Sequence, residues 1–157
     1  MTNVAVFAAV FVTLYVAHSV GDHWVQTSEQ AIEKGSPGWR GRLADARHVL
    51  GLTVTKLVAL TLVVTVLDVP VTAVGLAAGL TVDAVSHWWA DRRTTLFRLA
   101  KLCRKTEFYN LGTAAHEHAP VTVKGTVAAH LGTGAYALDQ SFHHAFLLVA
   151  ALLIAAL

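Results

Sequence analysis

The sequence predicts an all-α, polytopic membrane protein: one membrane domain of 157 residues, built as a bundle of four transmembrane helices. Two observations lead to this prediction. Hydrophobic residues make up 55% of the chain and charged residues only 14%, against about 25% charged in a typical soluble domain. In addition, four stretches reach the roughly 20 apolar residues that a helix needs to cross a bilayer. These stretches are residues 3–25, 48–69, 71–90 and 136–157.

The first stretch stands where a signal peptide would stand, but its composition differs. Met1, Thr2 and Asn3 carry no positive charge, whereas a signal peptide starts with a basic region. We therefore expect a retained helix. A short turn ending at Pro70 separates the second and third stretches. Proline suits the first turn of a new helix, so these two stretches are predicted to form a helical hairpin.

The distribution of basic residues predicts the orientation. The connections at residues 26–47 and 91–135 hold 11 of the 12 Lys and Arg residues, and Lys56 is the exception. In a four-span arrangement both connections lie on the same side of the membrane. By the positive-inside rule that side is the cytoplasm. We expect a multi-pass protein of a bacterial inner (cytoplasmic) membrane with both termini outside.

Residues 94–105 predict an additional amphipathic cytoplasmic helix between the third and fourth spanning helices. Apolar Leu96 and Leu99 alternate there with basic Arg98 and Lys101. Such a helix either lies on anionic headgroups or simply connects two spans, and the sequence leaves both interpretations open.

Ionisable groups inside membrane helices are costly and usually functional. In this chain three His/Asp pairs, each with a spacing of four, and one further His lie at the predicted cytoplasmic ends of the helices. A spacing of four places two side chains on one helical face. The seven candidate metal ligands are His18, Asp22, His48, His87, Asp91, Asp139 and His143.

The residue types of this set indicate the metal. Imidazole together with carboxylate suits zinc best, with manganese or iron as alternatives. Seven candidates exceed the three or four protein ligands of one zinc ion, so we expect one or two divalent ions. The alternative interpretation is a polar network that serves packing or proton transfer.

Two polar residues extend the faces that carry these ligands. Gln26 continues the face of His18 by another turn, and Asp83 lies one turn deeper than His87. Each is a candidate for orienting a ligand or contacting a substrate.

Three arginines flank the candidate ligands in the sequence. Arg47, Arg92 and Arg93 are expected to clamp an anionic group, although the membrane topology accounts for their charge as well. His116 and His118 form a His-x-His signal in a connection, where a solvated segment is the simpler interpretation. The role of His130 stays open.

Three motifs of the chain resemble those of the DUF3307 family of small bacterial membrane proteins. The motifs are His-x-x-x-Asp-x-x-x-Gln at residues 18–26, His-x-x-x-Asp at 87–91 and Asp-Gln-x-x-His at 139–143, with His48 as a further His. The sequence around these motifs is similar to that of actinobacterial or phage-like members. Since this family is one of unknown function, the resemblance implies the membrane location and the site more than the reaction.

These features together favour a metal-dependent hydrolase at the cytoplasmic interface. We expect Asp139 to take a proton from the attacking water and a phosphorylated lipid or other phosphoester to be the substrate. Membrane lipids are the expected partners, and a homodimer is conceivable. Nucleic acid is not expected as a partner, because the topology already accounts for the basic connections.

Two other classes of function stay open. The first is a non-enzymatic metal-binding, transport or mobile-element membrane protein. The ends of helices one and four that lie opposite the candidate ligands carry few polar residues, which argues against a path through one protomer. The second is a redox metal enzyme such as a lipid oxygenase. The roughly equal share of Asp among the candidate ligands favours hydrolysis instead.

Overall fold

The computed structural model describes residues 3–112 and 133–157, and all regular structure within them is helical. The first helix is prolonged by a π-helical turn at Gly21–Val25. The helices in chain order are α1 (Asn3–Val20), α2 (Ser28–Glu33), α3 (Gly38–Leu67), α4 (Ala73–Asp91), α5 (Thr94–Leu102), α6 (Thr106–Asn110) and α7 (Gly134–Ala156).

The four long helices form a closed ring. Helix α1 packs against α3, α3 against α4, α4 against α7, and α7 against α1. Contacts between His48 and Asp22, and between His143 and Asp91, join the C-terminal ends of α1 and α4 to the N-terminal parts of α3 and α7. Neighbouring helices in the ring therefore run antiparallel.

The end of the ring opposite these contacts is apolar. Val10 and Leu14 of α1, Leu60 of α3 and Leu147 of α7 are buried together there. Helix α4 approaches α7 closely at Gly79, where a Cβ atom would lie 2.6 Å from Cγ1 of Ile154. Small residues allow this kind of backbone approach between membrane helices. Gly79 thus packs within one protomer.

Three helical segments are long and apolar enough to cross a membrane among residues 3–112 and 133–157: Asn3–Val25, α3 and α7. This finding is consistent with a membrane protein. The sequence predicted four spans, and α4 is the one that falls short. It has a sufficient length of 19 residues, but Asp83, His87 and Asp91 reduce its apolar content.

Two predicted boundaries were wrong on the N-terminal side of α3. The segment at residues 26–47 is not a plain loop, since it contains α2 and the first part of α3, which begins at Gly38. Hydropathy detects only the apolar part of a helix. The polar beginning of α3 is nevertheless anchored, because Gly41, Ala44 and Asp45 are buried.

Helix α2 is fixed by its own first turn. The Thr27 hydroxyl accepts a hydrogen bond from the Gln30 backbone N–H (3.2 Å), and the Gln30 side-chain oxygen accepts one from the Thr27 N–H (2.9 Å). This reciprocal capping box satisfies two backbone donors at the helix start.

The predicted amphipathic helix is present as α5. It ends at Leu102 rather than at residue 105, because Arg104 adopts a left-handed conformation with φ of 57°. Leu96 and Ala100 are buried where α5 packs against α4 and α7. Its expected contact with headgroups stays a prediction.

Helix α7 begins directly beside the end of α6. The Gly134 N–H donates a hydrogen bond to the Leu111 carbonyl at 2.9 Å. The predicted start of this helix at residue 136 was thus two residues late. His116, His118 and His130 lie outside the described residues.

Candidate metal centre

The structure brings the seven predicted ligands together at one end of the ring, and we call these seven residues the His/Asp cluster. His48 lies at its middle. The Nε2 atom of His48 is 3.1 Å from Asp22 Oδ1, 3.0 Å from His87 Nε2 and 3.4 Å from Asp91 Oδ2. Side chains of α3, α4 and the π-helical turn therefore meet at one point.

The other half of the cluster is built by α4 and α7. His143 Nε2 lies 3.8 Å from Asp91 Oδ1 and 3.5 Å from Asp139 Oδ1. The rings of His87 and His143 are stacked with centroids 3.9 Å apart. Asp91 thus contacts histidines on both sides and joins the two halves.

Three overlapping groups within the cluster have ligand atoms close enough to surround an ion. In each group all ligand atoms lie within 4.8 Å of one another. His87 belongs to two of the groups, and so does Asp91. Shared ligands are what a pair of neighbouring metal ions requires. The groups are His18 with Asp22 and His87, His48 with His87 and Asp91, and Asp91 with Asp139 and His143.

The hydrogen bonding of the cluster is incomplete. Six of its buried atoms have no hydrogen-bond partner among the residues that the structure describes: His18 Nδ1 and Nε2, Asp22 Oδ1, His87 Nδ1, Asp91 Oδ2 and His143 Nε2. An unsatisfied buried polar group costs about 1–3 kcal/mol. All six are imidazole nitrogens or carboxylate oxygens, the atom types that bind metals, so the residues present fit one or two cations.

A four-residue repeat on the inner faces of the helices places these side chains. On α4 the buried positions include Gly75, Gly79, Asp83, His87 and Asp91. Positions four residues apart lie above one another on a helix. The inner face of α4 therefore carries glycines near its N-terminal end and candidate metal ligands near its C-terminal end.

The π-helical turn gives Asp22 its place. Its wider hydrogen bond runs from the Gln26 N–H to the Gly21 carbonyl at 2.9 Å. Gly21 is needed there, because a Cβ atom would lie 2.2 Å from Cδ1 of Leu52 on α3. Turns of this type are frequent at functional sites.

A polar cleft of about 500 Å³ opens on one side of the cluster. Asp139 faces it with a side chain that is 25% exposed, whereas His18 is fully buried. Burial raises the pKa of Tyr109, so its hydroxyl stays a hydrogen-bond donor. Further residues that line this polar cleft are Asp22, Gln26, Lys34, Asp91, Arg93, Tyr136 and Gln140.

The three predicted arginines have different surroundings. The Arg92 guanidinium donates to the carbonyls of Lys34 (2.7 Å) and Ser36 (2.6 Å), so it braces the α2–α3 connection. Arg93 donates to a carbonyl of α2 and lines the polar cleft. Arg47 is exposed on α3 and does not line that cleft.

The predicted partner of His87, Asp83, is engaged elsewhere. Both of its carboxylate oxygens accept hydrogen bonds from Lys56 Nζ, at 2.8 and 2.6 Å. This buried ion pair accounts for Asp83 and also for the lysine inside the second predicted span.

Sequence reasoning missed three residues of the site. Lys34 Nζ lies 2.9 Å from Asp91 Oδ1, and Gln140 Nε2 donates to Asp22 Oδ2 at 3.3 Å. The carboxylate of Asp45 is fully buried, 3.9 Å from Arg92 Nη1. Gln140 was visible in the Asp-Gln-x-x-His motif.

Comparisons of the chain with family models, with curated proteins and with solved structures gave no match. The resemblance to the DUF3307 family stays a prediction.

Proposed function

We propose that the protein is a metal-dependent hydrolase that cleaves a phosphoester at the cytoplasmic face of a bacterial inner membrane. The observation that carries this proposal is the set of buried ligand atoms without a hydrogen-bond partner, next to a polar cleft that Asp22, Asp91 and Asp139 line. Lys34 and Arg93 add positive charge to the same cleft. A phosphoryl group is the substrate part that this combination of a cation site and basic side chains favours.

In the proposed membrane arrangement α4 is the fourth span. It stands in the ring between α3 and α7, and its ionisable residues are buried while Val74 and Val85 face outwards, 68% and 62% exposed. Apart from Lys56, the described basic residues lie at the end of the ring that holds the His/Asp cluster, which favours the cytoplasm for that end. Exposed Trp24 and Trp39 fit an interfacial position there.

We propose that the His/Asp cluster holds one or two divalent ions, with zinc as the first choice because four imidazoles contribute. When bound, such ions lower the pKa of a water molecule and neutralise charge on phosphoryl oxygens.

The residues around the polar cleft would transfer the proton and bind the phosphoryl group. Asp139, partly exposed, takes the proton of the attacking water while the water oxygen forms its bond to phosphorus. The ester P–O bond breaks, and Asp139 returns the proton to the leaving oxygen. Lys34, Arg93 and the Tyr109 hydroxyl hold the phosphoryl oxygens by charge and hydrogen bonds.

Transport through a single protomer has less support. Beyond the Lys56–Asp83 pair, Leu14, Leu60 and Leu147 are at most 1% exposed and close the ring. A polar path would have to cross this apolar layer.

The test begins with elemental analysis of the detergent-purified protein beside three variants. We expect one or two ions per chain in the wild type, and loss of metal in His18→Ala and Asp91→Ala. His23→Ala is the matched control, since His23 is exposed and bonds to Tyr136 outside the cluster. Wild-type protein without metal, even after reconstitution with zinc, manganese and iron, would overturn the proposal.

Activity is then measured as release of inorganic phosphate. Asp139→Asn should lower the rate of hydrolysis about 10²–10⁴-fold, the usual contribution of a general base. The variant should keep most of its metal. An iron-containing form that consumes oxygen with lipid would instead favour the oxygenase alternative.

A further inference from the structure

An apolar groove of about 670 Å³ lies on the outer side of α4 and α7, next to α5. We call it the acyl groove, and its walls include Val85 and Trp89 of α4, Leu99 of α5, and Phe142 and Phe146 of α7. None of the described residues that line it carries a charge.

A smaller pocket lies between the acyl groove and the polar cleft, under α5. This pocket of about 180 Å³ shares Leu99 and Phe142 with the acyl groove, and it shares Leu96 with the polar cleft. The three spaces are therefore neighbours in a row from the His/Asp cluster to the outer surface of the ring, with shared side chains as the walls between them. The lining changes along this route from carboxylates and basic side chains to aromatic rings.

Helix α7 provides the floor of the route. Leu138, Phe142 and Phe146 are four residues apart, so they form one strip along about 12 Å of helix. The rings of Trp89 and Phe142 lie 5.4 Å apart, and those of Phe142 and Phe146 4.7 Å apart. The adjacent strip on α7, one residue further along the chain, carries Asp139 and His143.

We infer that the phosphoester is carried by an anionic phospholipid, whose headgroup enters the polar cleft while one acyl chain lies in the acyl groove. This inference rests on the proposed function and names its substrate class. An acyl chain is the occupant that the surroundings favour, because the groove is formed on α7, which is apolar enough to cross a membrane. Lys105 beside the joining pocket, with Lys34 and Arg93, supplies positive charge only towards the headgroup end.

Photolabelling tests the location of the chain without any need for turnover. The probe is a phosphatidic acid with a diazirine midway along one acyl chain, in phosphatidylcholine vesicles that contain the full-length protein. We expect the label to concentrate on the α7 peptide with Phe142 and Phe146. Val85→Trp fills the groove and should lower this labelling about tenfold, which corresponds to about 1.4 kcal/mol of binding.

Val74→Trp is the matched control. Val74 lies on the same helix and is 68% exposed, close to the 62% of Val85, but it does not line the acyl groove. Its labelling should equal that of the wild type. Unchanged metal content and gel-filtration profiles identify folded variants, and Val82→Phe, which narrows the same groove, replaces Val85→Trp if the latter does not fold.

The second measurement compares two substrates, long-chain phosphatidic acid and water-soluble glycerol phosphate. Val85→Trp should raise KM for the long-chain substrate and leave hydrolysis of the soluble one unchanged. Uniform labelling of all outward faces that Val85→Trp does not change would overturn the lipid inference. This holds also if the protein still hydrolyses glycerol phosphate in a metal-dependent way. Focused labelling without turnover of either substrate would contradict the hydrolase and keep the groove as a lipid site. Loss of labelling as the protein dimerises would assign the groove to a second copy and overturn the inference.

Discussion

Two buried polar groups of this protein differ in how completely their atoms are paired. The Lys56–Asp83 ion pair is closed, since Lys56 Nζ donates to both carboxylate oxygens at 2.8 and 2.6 Å. The His/Asp cluster lies nearer the end of the ring and leaves six ring nitrogens and carboxylate oxygens without a hydrogen-bond partner in the described part of the chain. Unpaired buried atoms, and not the burial of charge alone, are therefore the feature on which the proposed metal site rests.

The charge balance of the two groups also differs. The ion pair joins one ammonium to one carboxylate. In the cluster the three carboxylates of Asp22, Asp91 and Asp139 lie among four imidazoles, and within the described residues Lys34 is the ammonium in contact with them, at Asp91. The charges of the Lys56–Asp83 pair balance, whereas the His/Asp cluster has more carboxylates than ammonium groups and would be balanced by bound cations.

The largest expected effect comes from opening the closed pair. Lys56→Met leaves Asp83 buried without a partner and should lower the free energy of unfolding by about 3–5 kcal/mol. Unfolding in mixed micelles measures it. The double variant Lys56→Met/Asp83→Leu should recover most of the loss. A cost near zero for the single variant would contradict the structural role of the pair.

The next effect comes from filling the open cluster. Zinc at about 1,000 times its Kd should raise the free energy of unfolding by about 4 kcal/mol, and a chelator should reverse the change. Thermal unfolding with and without metal measures this. Asp91→Ala should abolish the increment and Lys56→Met/Asp83→Leu should retain it. An equal increment in both variants would mean that the metal binds elsewhere.

The smallest effect concerns a residue beside the ligands. Gln140→Leu removes the hydrogen bond to Asp22 Oδ2 and should weaken metal binding about 10–100-fold. Competition with a chelating dye measures the affinity. Ser141→Ala, at an exposed neighbouring position, is the control and should bind as the wild type does. No change in Gln140→Leu would remove Gln140 from the set of residues that orient the ligands.

The helical class and the convergence of the ligands could be predicted because both follow from spacing. The four-residue interval of His87 and Asp91 defines a face regardless of where the helix ends. The beginning of α3 could not be predicted from hydropathy, since the residues from Gly38 to Arg47 are not apolar as a group. Asp45 was missed for that reason: it lies three positions before His48, which is the same face only if the helix extends that far.

The contacts of Lys34 and Arg92 depend on tertiary folding. Arg92 donates to carbonyls of the α2–α3 connection, and this connection places Lys34 against Asp91. No local pattern in the sequence encodes such a long-range contact. The same applies to the pairing of Lys56 with Asp83, which lie 27 positions apart.

The hydrogen bond between Gly134 and Leu111 has a practical consequence for protein engineering. It holds together the two points of the backbone between which residues 113–132 stand. The distance from α6 to α7 is thus set by the bundle and not by the length of the intervening chain. A rigid soluble fusion partner whose own termini are adjacent would match the spacing of these two points, and it would supply the mass and shape that imaging so small a protein requires.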